Sequence, residues 1–467
     1  MRTLWVLLIG GVSWMSFGIE NMQAANKAET KKDLPQWINV AGVETILAEK
    51  HETPLVSFTI AFPVGGYFDP EDKGGLVSLF GDMLLRGTKT HTREQIENEL
   101  DFMGASLSVD AGFHSLSVSG QTLSRNMDRF LALVTEILTE PTFPEEELTK
   151  LREETIAQIY LRLEEDAQIA RLKFMEIIYG RHPYGHDLMG SPTSLKKITR
   201  SDLVTFYNTN IQGQGFVVGV AGDLTRSKLD EITKQLAQRL PEGKSAPKEI
   251  LFQGKISGRH ILLIDKPQRT QTHFLIGHPG IPLGHKDYFP LAVFMTTFGG
   301  HMFQAKYMQE IRVKRGWAYG AYGAIDARRD GGGFYLYTYP ATKDTVPALK
   351  LSLELLDEAI KKGLTDEDLK FAKTYLQRSY PFLIDTPEKI VGQRISNRFM
   401  GLPDNHLENY AKNIESVTLS AAREAAKKHL STENVQIVML CTAKEFKETI
   451  GKELSAKTVD VVPFDRF

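Results

Sequence analysis

Pro144-Glu145-Glu146-Glu147-Leu148 and Thr365-Asp366-Glu367-Asp368-Leu369 share one pattern: a residue suited to start a helix, a run of acids, then an apolar position. Acids in a first turn favour the positive end of the helix dipole, so each stretch predicts a helix N-terminus. Working outward, Glu49-Lys50 before the strand Val56 to Ala61 matches Asp265-Lys266 before Phe274 to Gly277. Val217-Val218 likewise matches Val435-Gln436-Ile437-Val438. Each pair is offset by about 220 residues in unchanged order, so one fold is used twice. Strands followed by runs of helices make that fold α+β, repeated in two tandem domains. The halves are assigned to 35–240 and 259–467, joined by a linker over 241–258 that is rich in Gly, Pro, Lys and Ser and lacks sustained periodicity.

The 467 residues are 42% hydrophobic with a formal charge of -2. That length supports full cores, and the near-neutral charge argues against holding nucleic acid or an anionic membrane through a basic surface. Met1-Arg2, the apolar run from Leu4 to Ile19 and the small pair Ala24-Ala25 predict a secretory signal peptide over 1–25, with an uncleaved membrane tether as the alternative. Exported residence, periplasmic in a Gram-negative cell, follows as an expectation. No later run is apolar enough to span a bilayer, so no membrane association is expected after cleavage. The single cysteine, Cys441, excludes an intrachain disulfide and reads as a buried strand residue.

Arg312-Val313-Lys314-Arg315-Gly316-Trp317-Ala318-Tyr319 puts a cation and a phenol seven residues apart. Phe303, Tyr307, Met308 and Ile311 recur at helical spacing upstream, Gly316 is suited to stop the helix, and Trp317, Tyr319 and Ala321 alternate as in a strand. From these residues alone, Arg312 favours the helix dipole and Tyr319 packs on a strand. His182 and His186 have metal-like spacing, but Pro183 and Gly185 make the segment a turn. His278, His285 and His301 lie among Pro and Gly, either facing a substrate or simply hydrogen-bonded. Gly299-Gly300 precedes a helix and either admits a peptide or carboxylate to its amides or packs tightly there. Gly331-Gly332-Gly333 reads as a hairpin turn.

Taken in order, several stretches resemble the M16 family of zinc peptidases, the inverted zincins that include pitrilysin-like enzymes and the mitochondrial processing peptidase subunits. They are Gly74-Gly75-Leu76-Val77 leading to Leu85-Arg86-Gly87-Thr88; Leu148 through Ile159; His182-Pro183-Tyr184-Gly185 with Gly190; Gly219-Val220-Ala221-Gly222-Asp223; and Phe298-Gly299-Gly300 leading to Glu310-Ile311-Arg312 and Arg315-Gly316-Trp317-Ala318-Tyr319. Active members carry His-x-x-Glu-His on the first helix, with both histidines on zinc and the glutamate activating a water. The corresponding positions here are Ser78, Gly81 and Asp82, and Gln158 stands where a more distant glutamate ligand is expected. Ser108-Val109 also departs from the Asn-Ala found on the neighbouring strand in many active members.

The resemblance implies two tandem α+β domains, each a mostly antiparallel sheet covered by helices, and a divided site. No cofactor is expected on this chain, and zinc is expected in a partner subunit bearing His-x-x-Glu-His. Arg312 and Tyr319 are the pair that the zinc-free member of such a heterodimer contributes, binding an unfolded peptide substrate and stabilising the transition state, with Gly299 and Gly300 as substrate-binding candidates. A peptide-binding or structural protein that has dropped catalysis, as the core proteins of the cytochrome bc1 complex have in the main, is the alternative. A stand-alone hydrolase with a metal relocated to His182 and His186 is a third reading.

Overall fold

The computed structural model describes residues 34–300 and 302–466, so the expected signal peptide and His301 lie outside the described residues. In the first half, β1 (Ile38–Val40), β2 (Val43–Glu49), β3 (Leu55–Phe62), β4 (Ser106–Ala111), β5 (Leu116–Leu123) and β6 (Val217–Gly222) form a sheet in the order β1-β2-β6-β3-β5-β4. In the second, β7 (His260–Asp265), β8 (His273–Gly280), β9 (Ala321–Ala327), β10 (Gly332–Thr338), β11 (Gln436–Cys441) and β12 (Thr458–Pro463) follow the order β12-β7-β11-β8-β10-β9. The repeat read from the sequence is thus a repeat of topology. Only the first edge differs: β1 pairs antiparallel with β2 through a turn whose Ala41 and Gly42 have φ of 52° and 84°, whereas β12 pairs parallel with β7. Two further parallel pairings, β2 with β6 and β7 with β11, sit in otherwise antiparallel sheets.

The central strands β6 and β11 are buried throughout, as their unbroken apolar runs predict. Successive side chains point to opposite faces of a strand, so Ile437, Met439 and Cys441 enter one core while Val438 and Leu440 enter another. β6 divides in the same way, with Val218 and Val220 on one side and Val217 and Ala221 on the other. One face of each sheet is covered by helices of its own half. The opposite face is covered by a helix of the other half.

Helix Asp166–Tyr179, from the first half of the chain, lays Ile169, Ala170, Phe174 and Ile178 on Leu262, Ile264, Leu275, Val438 and Leu440 of the second sheet. Helix Pro387–Phe399, about 220 residues on and so its repeat mate, lays Val391 and Ile395 on Ile46, Ala61, Val217 and Ala221 of the first. Glycines make room for both: a Cβ on Gly219 would lie 2.5 Å from Val391 Cγ1, and one on Gly277 would lie 2.6 Å from Phe174 Cζ. Charges fix the ends of the exchanged helices. Buried Lys266 donates to Asp166 Oδ1 at 2.7 Å and to Leu163 O at 2.6 Å, and Arg398 donates to Glu44 Oε2 at 2.8 Å. The residues from Trp37 onward form one compact unit as a result.

The segment 241–258 is irregular, as its composition predicts, but it is fastened down. Ser245 Oγ donates to Asn210 O at 2.7 Å, and Phe252 N donates to Asp330 O at 2.9 Å. Beside it, the hairpin tip between β9 and β10 inserts Arg328 over the rings of Phe113, Tyr179 and Tyr184 at 5.0, 5.1 and 4.8 Å. His182 belongs to this cluster: Nδ1 accepts from Tyr184 N at 3.2 Å and Nε2 faces Ile250 O at 2.6 Å. With both ring nitrogens engaged and His186 exposed, the two histidines do not form the relocated metal site considered as a third reading.

Candidate functional site

Helix Leu76–Leu84 occupies the place where the resemblance expects a zinc motif. Asp69 caps its start, accepting from Gly75 N and Val77 N at 2.9 Å each. Ser78 Oγ donates to Leu188 O at 2.6 Å, so the hydroxyl is committed to a loop carbonyl. Gly81 faces the sheet, where a Cβ would stand 3.1 Å from both Val109 Cγ1 and Leu116 Cδ1. Val109, one of the departures noted in the sequence, therefore fills space beside the absent side chain. Asp82 and Gln158 are exposed. Arg86 at the helix end is buried and donates to Glu154 Oε2 at 2.6 Å and Glu147 Oε2 at 3.3 Å, pinning this helix to helix Glu145–Leu161. A catalytic zinc needs three N, O or S ligands and an open position. One committed hydroxyl, a glycine, one carboxylate and an amide do not fit it.

The second half brings Arg312 and Tyr319 together. A short helical turn, Lys306–Met308, widens into a π-helical turn over Gln309–Val313, with Lys314 N donating to Gln309 O at 2.9 Å. Gly316, at φ 64°, closes it: Gly316 N reaches Arg312 O and Trp317 N reaches Ile311 O, at 2.9 and 3.1 Å. A glycine in left-handed geometry is the usual device for that closure, as the sequence predicts. Tyr307, Met308 and Ile311 point into the core.

Two details correct the sequence reading. The strand does not begin at Trp317; the ladder starts at Ala321 opposite Thr338, whose hydroxyl donates to Gly320 O at 2.7 Å, so Tyr319 precedes β9 and is 72% exposed. Phe303 does not share the buried helical face; it precedes the helix and is 56% exposed. The guanidinium carbon of Arg312 lies 4.0 Å from the ring centroid of Tyr319 and 4.6 Å from that of Phe303. The nearby acid, Glu310, is taken by Lys314 and Arg315 at 2.5 and 2.7 Å, and these bonds hold its carboxyl below the usual range. Among the described residues no carboxylate pairs with Arg312, which is half-buried beside the two rings.

Gly299 and Gly300 have a structural reason to be glycine. They follow helix Tyr288–Phe298 and end it, with Gly299 N donating to Met295 O at 2.9 Å. Gly299 O accepts from Gly323 N at 2.7 Å, and a Cβ on Gly299 would stand 2.7 Å from Gly323 Cα. One on Gly300 would stand 2.6 Å from Thr296 O. The sequence reading places the pair before a helix; here it ends one, with Gly299 packed on β9 and Gly300 against the last turn of its own helix.

His278 is buried and bonded to Pro279 O and Ser431 N at 2.8 and 3.2 Å, and burial lowers its pKa. His285 Nδ1 accepts from Asp287 N at 3.0 Å. Among the described residues only His285, Asp287 and His429 are grouped closely enough to share a cation, and Asp287 is already paired with His429 and Lys428 at 2.7 and 3.3 Å. Phe303 is the member of the Arg312 site that sequence reasoning missed. Nearby, burial raises the pKa of Tyr339 while Arg312 opposes the shift, and His273 stacks on its ring at 5.3 Å.

Residues 44–192 match the family described as insulinase (peptidase family M16), and residues 197–376 match the peptidase M16 inactive domain. The non-peptidase homolog YmxG of Helicobacter pylori is 25% identical over 88% of this chain and 95% of its own length. An uncharacterized zinc protease of Mycobacterium leprae is 24% identical over 75% of this chain and 76% of its own. A crystal structure of a peptidase M16 inactive domain from Pseudomonas fluorescens superposes with a TM-score of 0.79 at 25% identity, covering 92% of this chain and 98% of that one. Matched through both halves and built on one strand order used twice, the chain belongs to the M16 peptidase family.

Proposed function

We propose that this chain is the zinc-free subunit of a two-chain M16 peptidase, exported to the periplasm, and that it lends Arg312 and Tyr319 to a site whose zinc belongs to a His-x-x-Glu-His partner. The observation that carries the reading is the contact of an acid-free guanidinium with an exposed phenol at 4.0 Å, in a chain whose zinc-motif positions hold no ligand set. Peptide hydrolysis builds negative charge on the scissile carbonyl oxygen, and fixed donors aimed at that charge lower the barrier. The in-plane N–H groups of Arg312 and the hydroxyl of Tyr319 would donate to that oxygen or to the neighbouring peptide backbone, holding the substrate in register with the reacting atoms. The zinc would supply a polarised carbonyl and an activated water when the partner is bound.

A catalytically inactive peptide-binding protein is the second reading. The names of two relatives, a non-peptidase homolog and an inactive domain, favour it. Purifying the tagged chain from its exported fraction and assaying the eluate on an unstructured peptide, with and without a zinc chelator, separates the two. A co-purifying His-x-x-Glu-His chain with chelator-sensitive activity supports the divided site. A chain that elutes alone and inactive, under conditions that preserve complexes, supports the second reading.

A further inference from the structure

Phe303 presents a large apolar ring to solvent, yet the segment carrying it is anchored on both sides by Met302 and Ala305, at 9% and 0% exposure. Its carbonyl accepts a hydrogen bond from the Gln309 side chain, which sits on the same π-helical turn as Arg312. The ring is thus tied to the element whose cation it meets.

We infer that Phe303 is a positioning residue for Arg312: with Tyr319 it forms an aromatic clamp that holds the guanidinium against two rings, at 4.6 and 4.0 Å, and leaves its edge donors for a substrate carbonyl or carboxylate. This rests on the role proposed above for Arg312. A long arginine side chain otherwise loses rotamer freedom when it meets a substrate, and a cation placed over an aromatic face keeps its attraction without spending its N–H donors. Pairing with an acid would also hold the side chain, but it would consume the donors and cancel the charge. The clamp fixes Arg312 while keeping both, and Glu310, the acid best placed to compete, is occupied by Lys314 and Arg315.

The clamp has a signature in the full chain alone. Arg312 Hε, identified by its disappearance in Arg312→Lys, should resonate upfield of exposed arginines. Phe303→Leu should move it toward their position and Phe303→Trp should keep it upfield. A signal that ignores Phe303→Leu overturns the contact. In the assembled peptidase, probed with a fluorogenic unstructured peptide, Phe303→Leu should lower kcat/KM by about two- to five-fold, the scale of an exposed cation–π contact. Fluorinated phenylalanines at 303 should lower it progressively, since they keep the ring and weaken its face. Phe303→Leu should add nothing in an Arg312→Ala background. Full activity of Phe303→Leu, or a loss that adds to that of Arg312→Ala, overturns the positioning role. If Arg312→Ala is itself silent, the proposed function fails, and the resonance still decides the clamp.

Discussion

Arg312 is available because its neighbours settle their charges among themselves, and the type of cation matters as much as its sign. A lysine offers a point charge on a flexible stem, without the planar fork or the stacking face. Arg312→Lys should therefore recover less than about a tenth of the activity lost in Arg312→Ala, roughly because one to two of the charge-assisted bonds disappear. Steady-state kinetics of the assembled complex check this. Gly299→Ala belongs to a different class. Its Cβ would meet Gly323 Cα at 2.7 Å, and overpacking of this kind costs about 1–3 kcal/mol, so the urea midpoint should fall and the unfolding free energy should drop by that amount. A midpoint unchanged from the wild type would return Gly299 to the list of substrate-facing candidates. The spacing of Arg312 and Tyr319 by itself suggests only a helix end and a packed strand residue; the family resemblance singles them out as a pair, and the structure sets the guanidinium 4.0 Å from the ring centroid. Phe303 could not be read from the sequence, since its contact depends on the irregular turn from Met302 to Ala305, which no periodicity describes.

At the level of elements, the hairpin tip Arg328–Asp330 is a plug seated in a cluster of aromatic rings, and His114 is its pH-sensitive member. Burial, reinforced by the charge of Arg329, lowers the His114 pKa to about 4, while Tyr184 OH lies 2.5 Å from its Nε2. His182 is also held low by burial, and Asp330 opposes both shifts. A histidine whose folded pKa lies below its unfolded value of 6.5 favours the fold only while neutral. Stability is fully present above pH 6.5 and falls as pH drops from there toward 4. The fall attributable to His114 is about 3 kcal/mol at most. His114→Gln should flatten the stability profile in that window, measured by denaturant unfolding across pH. A profile as steep as the wild type would remove His114 as its source. A helix start was legible where a side chain caps it: Thr365 with Asp368 forms a capping box where the sequence placed a helix N-terminus. The start of β9 was misplaced because the alternation that leads to Ala321 already runs through Trp317 and Tyr319, in a connector that makes no ladder pairs.

Across the whole molecule the two halves are locked by the exchange of helices Asp166–Tyr179 and Pro387–Phe399. Each buried aliphatic side chain in such a contact contributes about 1.5–3 kcal/mol, so neither sheet can release the helix of the other half cheaply. Calorimetry of the full chain should show a single transition. Two resolved transitions would mean that the exchange does not couple the halves. The repeat was legible because offset and order persist in the sequence. The exchange was not, because an apolar helix face declares that it must be buried without declaring which sheet will bury it.

The central claim is that catalysis at a partner's metal needs the Arg312 side chain. The measurement that tests it most directly is the rate of unstructured-peptide hydrolysis by the complex carrying Arg312→Ala, with zinc content determined on the same sample. The account predicts a loss of about two to three powers of ten at unchanged zinc. Turnover equal to that of the wild type at equal zinc would contradict it.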